Sequence, residues 1–151
     1  MMFDINGQRV FADTGGRALD PARKTVIFVH GAGQDHSIWV LPTRYFSGHD
    51  RNVIAVDLPG HGRSGGAPLE SIEAMADWLI AALDSAGLGE AAVVGHSLGS
   101  LAAIAAAARH PERVRAIALI GSTLPMRVSE AHFQTGFLLA EIMRGASFDD
   151  T

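Results

Sequence analysis

Four short stretches of unbroken apolar character limit what this chain can fold into. They are Thr25-Val26-Ile27-Phe28-Val29-His30, Asn52-Val53-Ile54-Ala55-Val56, Ala91-Ala92-Val93-Val94 and Val114 to Ile120. None alternates apolar with polar residues, so none reads as a strand with one wet face. Runs of this kind suit strands covered on both sides, as in a parallel sheet. The segments between them carry helical signals. Ser71 is placed to cap a helix that has Ile72, Met75, Ala76, Leu79 and Leu83 on one face, and Gly87 stands where a left-handed residue ends it. Leu98 to Arg109 is an Ala-rich helix stopped before Pro111, and a further helix is expected around Ser37–Phe46. Ahead of these lies an antiparallel hairpin: Phe3 and Ile5 alternate with polar residues, Asn6-Gly7 turns the chain, and Val10 and Phe11 begin the return strand. Asp13 to Lys24, polar and holding Gly15-Gly16 and Pro21, reads as a loop. Strand alternating with helix at this spacing predicts an α/β fold, a doubly wound and mostly parallel sheet with an N-terminal antiparallel hairpin.

Composition narrows the class further. The 151 residues are 48% hydrophobic and 19% charged, and a domain of this size removes about 68–70% of its unfolded surface from water. Twelve Lys and Arg against sixteen Asp and Glu give −4, with no clustered basic footprint for nucleic acid or an anionic membrane. The absence of cysteine excludes a disulfide framework, a thiolate metal site and a thiol nucleophile. Met1 to Val10 is polar and acidic where a secretory leader is basic and then apolar. The apolar stretch Leu101–Ala108 stops at Arg109 and His110, short of the roughly 20 residues that span a membrane. A cytoplasmic protein is the expectation, with no nucleic-acid or membrane partner.

Gly95-His96-Ser97-Leu98-Gly99 is a G-x-S-x-G between an apolar strand and a helix. That context is what the motif requires. A serine on a sharp, strained turn projects its hydroxyl from the sheet edge, and the glycines remove side chains that would clash as strand and helix close. The following helix aims its free amides and positive end at the same place. A dinucleotide-binding G-x-G-x-x-G fails, because Gly31-Ala32-Gly33 is followed by Gln34, Asp35 and His36. Neither a G-K-[ST] phosphate loop nor an H-E-x-x-H metal pair occurs. No metal and no cofactor are expected.

With this motif the chain resembles the α/β-hydrolase family, and two further segments carry the resemblance. One is His30-Gly31-Ala32-Gly33, continuing through Gln34-Asp35-His36-Ser37-Ile38-Trp39; the other is Asp57-Leu58-Pro59-Gly60-His61-Gly62-Arg63-Ser64. The resemblance runs from about Phe3 to Ser122. It implies a hydrolase that attacks an ester or related small acyl substrate through an acyl-enzyme on Ser97. It also implies an oxyanion site formed by the amides of Ala32 and Leu98, each such donor contributing about 10²–10³ in rate. A serine at the bend argues against the carboxylate chemistry of epoxide hydrolases and haloalkane dehalogenases. The alternative is a catalytically incomplete binding module on the same fold.

Asp57 and His61 read as locks of a Pro- and Gly-rich turn rather than catalytic groups. His30 reads as structural, His96 as packing rather than base, and His49 and His110 as surface residues; for His36 and His132 pocket lining is only the lesser alternative. In the family the acid and then the histidine follow the serine, and after Ser97 this chain offers only His110 and His132. The expectation is therefore an α/β-hydrolase fold truncated after the sixth strand. Residues 1–122 form the N-terminal part of the core, and 123–151, with its stripe of Phe133, Phe137, Leu138, Ile142 and Met143, begins a cap or lid. On this view the 151 residues alone are inactive. Val114 to Ile120 becomes an exposed apolar edge that pairs with the missing C-terminal half or with a second copy.

Overall fold

The computed structural model describes residues 1–122. In chain order the elements are β1 (Met2–Ile5), β2 (Gln8–Asp13), β3 (Thr25–Val29), a 3-10 turn (His36–Trp39), α1 (Val40–Gly48), β4 (Asn52–Val56), α2 (Ile72–Ser85), β5 (Ala91–His96), α3 (Leu98–Arg109) and β6 (Val114–Ile120). The strands form a six-stranded sheet in the order β1-β2-β4-β3-β5-β6. The β1–β2 and β2–β4 pairs are antiparallel, and β4–β3, β3–β5 and β5–β6 are parallel. The expected class, a mostly parallel sheet led by an antiparallel hairpin, is the observed one.

Local chemistry accounts for the elements. Asn6 and Gly7 both take positive φ, 53° and 79°, the pairing that matches a two-residue hairpin turn to strand twist. The Ser71 hydroxyl accepts the Ala74 N–H at 3.0 Å, opening α2. At its other end Gly87 sits at φ 69° while the Leu88 N–H reaches back 2.9 Å to the Leu83 carbonyl. The helix expected over Ser37–Phe46 arrives in two pieces. Asp35 accepts the Ser37 N–H and starts the 3-10 turn, and α1 then carries Pro42 in its first turn, where the missing N–H leaves no bond unmade.

Every residue of β3 and β4 is buried, because the two faces of the sheet meet different helices. Ile27, Val29, Ile54 and Val56 pack with Met75, Leu79 and Leu83 of α2 and with Ala102, Ala103 and Ala106 of α3. Val26, Phe28, Val53 and Ala55 meet Trp39 and Phe46 on the other side. The crossover from β3 to β4 thus runs over one face, and the crossover from β4 back past β3 to β5 runs over the other. That is what right-handed connections demand when the direction of strand addition reverses. The reversal lies between β3 and β5, where the carboxyl ends of an open α/β sheet leave a crevice.

β6 differs from the inner strands. Val114 is buried, but the rest of the strand is exposed among the described residues, including Ile117 at 40%, Leu119 at 38% and Ile120 at 47%. The segment expected to begin a cap, 123–151, and its apolar stripe lie outside the described residues. Sedimentation of the 151-residue chain tests the expected pairing of this edge. Concentration-dependent association that Ile117→Lys weakens is the expected outcome, and a monomer at every concentration contradicts it.

Candidate active site

Ser97 occupies the bend between β5 and α3 with φ 51° and ψ −114°. A side-chain-bearing residue there carries strain of order 1–3 kcal/mol, which persists only where surrounding structure overrides it. Three bonds do so. The Ser97 N–H donates to the Ile120 carbonyl at 2.9 Å, the Ser100 N–H donates to the Ser97 carbonyl at 2.9 Å, and the Ser100 hydroxyl donates to the Gly95 carbonyl at 2.8 Å. A Cβ on Gly95 would strike the Gly99 carbonyl, and one on Gly99 would strike the Val29 carbonyl. Both glycines are therefore needed for α3 to start this close to the sheet. The Ser97 hydroxyl does not cap α3.

The turn after β3 closes over the same spot. The Gln34 N–H donates to the Gly31 carbonyl at 3.3 Å, and His30 Nδ1 lies 2.7 Å from that oxygen. His30 Nε2 accepts the Leu58 N–H at 3.1 Å, so the proton sits on Nδ1, which donates to Gly31. The ring is fully buried. Burial foremost, with His61 adding to it, pushes the His30 pKa below its ordinary value of 6.5, against the Gly31 carbonyl and nearby Asp57 and Asp35. His30 is thus a neutral imidazole that joins the loop after β3 to the loop after β4, a structural role. Ala32 and Leu98 are buried at 4% and 2%, and neither N–H is among the turn, loop and cap bonds between backbone groups of the described residues.

A Cβ built on Gly31 would lie 2.8 Å from Gln34 Oε1, 3.0 Å from His96 Nδ1 and 3.1 Å from Ser97 Cβ. The three side chains converge on the bare face of that glycine. Gln34 Oε1 accepts the Gly31 N–H at 2.9 Å and stands 2.9 Å from His96 Nδ1. His96, expected simply to pack, is bonded to the turn after β3. The reading from sequence passed over Gln34. The usable signal was its place three residues after Gly31, the spacing at which a Gln side chain reaches back to a backbone N–H in a capping box.

Asp57 is fully buried. One carboxylate oxygen accepts the His36 N–H at 2.7 Å and stands 2.8 Å from His36 Nδ1, while the other accepts the Arg63 N–H at 2.8 Å. His61 Nδ1 lies 2.9 Å from the Pro59 carbonyl within the same turn. These bonds fit the turn-locking reading of both residues. His36, for which pocket lining was the lesser alternative, pairs with Asp57 and packs against Phe11 at 4.7 Å. Asp35, His36 and Asp57 offer ligand-type atoms within 4.8 Å of one another, but both carboxylates are already in use, Asp35 as the acceptor for Ser37. Its pKa is held below the ordinary value chiefly by the Ser37 hydroxyl and N–H. His49 Nδ1 lies 2.7 Å from the Tyr45 carbonyl and His110 Nε2 2.7 Å from Asp77, both on the surface. His132 lies outside the described residues.

A serine on a strained strand-to-helix bend, facing a glycine turn at the point where strand order reverses, defines a site of the serine-elbow type on an α/β sheet. The chain belongs to the α/β-hydrolase family: the family model for the alpha/beta hydrolase fold matches residues 24–149. It is 33% identical over 143 residues to a dihydrolipoyllysine-residue acetyltransferase component of an acetoin cleaving system from Cupriavidus necator, covering 93% of this chain and 37% of that one. It is 33% identical over 140 residues to lipase LipV of Mycobacterium tuberculosis, covering 93% of this chain and 50% of the lipase. Among solved structures, a predicted CIB-like hydrolase from Thermoplasma acidophilum superposes with a TM-score of 0.71 at 25% identity, over 79% of this chain and 60% of that one. The chain thus spans half or less of the length of these two curated relatives. No helix among the described residues is long and apolar enough to cross a membrane.

The buried His30 gives a pH dependence with a definite sign. Its folded pKa is lowered, so the unfolded chain binds the proton more readily. The stability it contributes is complete above the ordinary value and is lost as pH falls through the folded value. Urea midpoints are expected to fall on going from about pH 8 to about pH 5. His30→Asn is expected to cost about 2–4 kcal/mol at the upper end and to flatten that slope. An unchanged slope in the variant contradicts this account of His30.

Proposed function

We propose that Ser97 is the nucleophile of a hydrolase that cleaves an ester or related small acyl compound, and that the amides of Ala32 and Leu98 stabilise the tetrahedral oxyanion. The observation that carries this reading is the positive φ of Ser97, 51°, on the strand-to-helix bend that faces the glycine turn after β3. In the proposed reaction the Ser97 oxygen attacks the carbonyl carbon, and its proton passes to a histidine. The tetrahedral intermediate collapses to an acyl-serine as that proton goes to the departing alcohol. Water then repeats the sequence and releases the acid. Two fixed amides aimed at the developing charge need no reorganisation during the step.

Each histidine among the described residues has a ring nitrogen bonded away from Ser97: His30 to Gly31, His36 to Asp57, His49 to Tyr45, His61 to Pro59, His96 to Gln34 and His110 to Asp77. The proposal therefore takes the acid and the histidine of the triad from outside the described residues 1–122. The lipase relative supports an ester as the substrate class, since that name denotes ester cleavage.

A fluorophosphonate probe on the intact gene product tests this reading. Labelling that disappears in Ser97→Ala, with ester hydrolysis falling by at least about 10³-fold, is the expected result. Labelling that persists in Ser97→Ala overturns it. A folded protein that takes no label supports the non-catalytic binding module instead.

A further inference from the structure

We propose that Gln34 is a positioning residue for the Ser97 reaction, its carboxamide fixing the spacing between the oxyanion turn and the elbow. The inference rests on the reading of Ser97 and Ala32 given above. A backbone N–H can only donate, so the Gln34 atom 2.9 Å from the Gly31 nitrogen is the oxygen. An amide oxygen carries no hydrogen, so His96 Nδ1, 2.9 Å from that same atom, is the donor. The backbone thus fixes the orientation of the Gln34 amide, and that orientation fixes the His96 tautomer as Nδ1–H. Gln34 Oε1 holds both donors at once. One belongs to the turn that carries Ala32, and the other belongs to the residue immediately before Ser97.

The consequence for chemistry follows from peptide planarity. The Gly31 carbonyl is held by His30 Nδ1 and by the Gln34 N–H, and in a trans peptide the Ala32 N–H points opposite to that carbonyl. Gly31 is thus restrained on its carbonyl side by His30 and the Gln34 backbone, and on its N–H side by the Gln34 side chain. No Cβ is tolerated at residue 31 without striking this junction. Loss of the side-chain restraint leaves the turn folded but frees it to drift relative to Ser97. A misplaced donor lowers transition-state stabilisation more than ground-state binding.

The test uses the intact gene product with a p-nitrophenyl ester and long-range ¹H–¹⁵N spectra of the histidine rings at about pH 8.5, above the ordinary histidine range. Gln34→Met keeps the bulk and removes the acceptor. It is expected to lower kcat about 10- to 100-fold with KM within about twofold, and to abolish the Nδ1–H form of His96. Gln34→Glu, which retains an acceptor for both donors, is expected to keep His96 as Nδ1–H. Wild-type kcat in Gln34→Met overturns the proposal, as does an unchanged His96 signal in that variant. If Ser97→Ala retains the wild-type rate, the nucleophile reading fails and the catalytic role of Gln34 falls with it. Loss of Nδ1–H in Gln34→Met then marks the junction as serving the fold alone.

Discussion

The N-terminus of α3 lies against the carboxyl ends of β3 and β5, and that contact exists only because residues 95 and 99 carry no side chain. A methyl group at either position would enter a backbone carbonyl, of Gly99 in one case and of Val29 in the other. With so little room the chain cannot round the corner in an ordinary helical or extended conformation, and Ser97 takes the left-handed one at φ 51°. The bend is then held from outside. Ile120, at the end of the edge strand β6, accepts the Ser97 N–H, so the geometry of the elbow depends on a strand whose own outer surface is exposed. Strain at residue 97, small residues at 95 and 99 and the placement of β6 form one mechanical unit.

A second unit faces it. Because β3 and β5 are neighbours while the chain between them detours through β4, the loop leaving β3 and the elbow leaving β5 meet at the reversal of strand order. Side chains that do no chemistry themselves set the direction of the peptide groups in that loop. His30 is buried and uncharged at neutral pH because desolvation outweighs the acceptors around it, and this neutrality lets one ring donate to Gly31 while accepting from Leu58. A charged imidazole has no lone pair for the Leu58 amide. The same economy appears at Asp57, whose buried carboxylate takes two backbone amides and a ring nitrogen from the loops on either side. Carboxylates and imidazoles grouped at the carboxyl end of a sheet invite a catalytic reading. Here their hydrogen bonds are consumed in shaping backbone.

Much of this was legible in the residues. Continuous apolar runs gave inner strands because β3 and β4 are covered on both faces, so burial erases the alternation that an exposed face imposes. Ser71 and Gly87 marked the ends of α2 through local bonds that need no tertiary context. The start of the helix near Ser37 was blurred because Asp35 first caps a 3-10 turn, and nothing in the periodicity separates that turn from the α-helix it feeds. The glycines of G-x-S-x-G declared the elbow because their role is steric and local. The Gln34–His96 and His36–Asp57 pairings were not legible. Their partners lie 62 and 21 residues away in the chain, and pairing over such distances depends on how two loops meet, which no local pattern encodes.

The proposed reaction requires one hydroxyl and two amides from separate crossovers to point at a common volume. The most direct measurement is a crystal structure of the intact gene product with a phosphonate bonded to the Ser97 oxygen, whose non-bridging oxygen stands in for the oxyanion. The account predicts that oxygen within about 3 Å of both the Ala32 and the Leu98 nitrogens. An adduct whose oxygen faces solvent, or whose only donors lie on other residues, contradicts it.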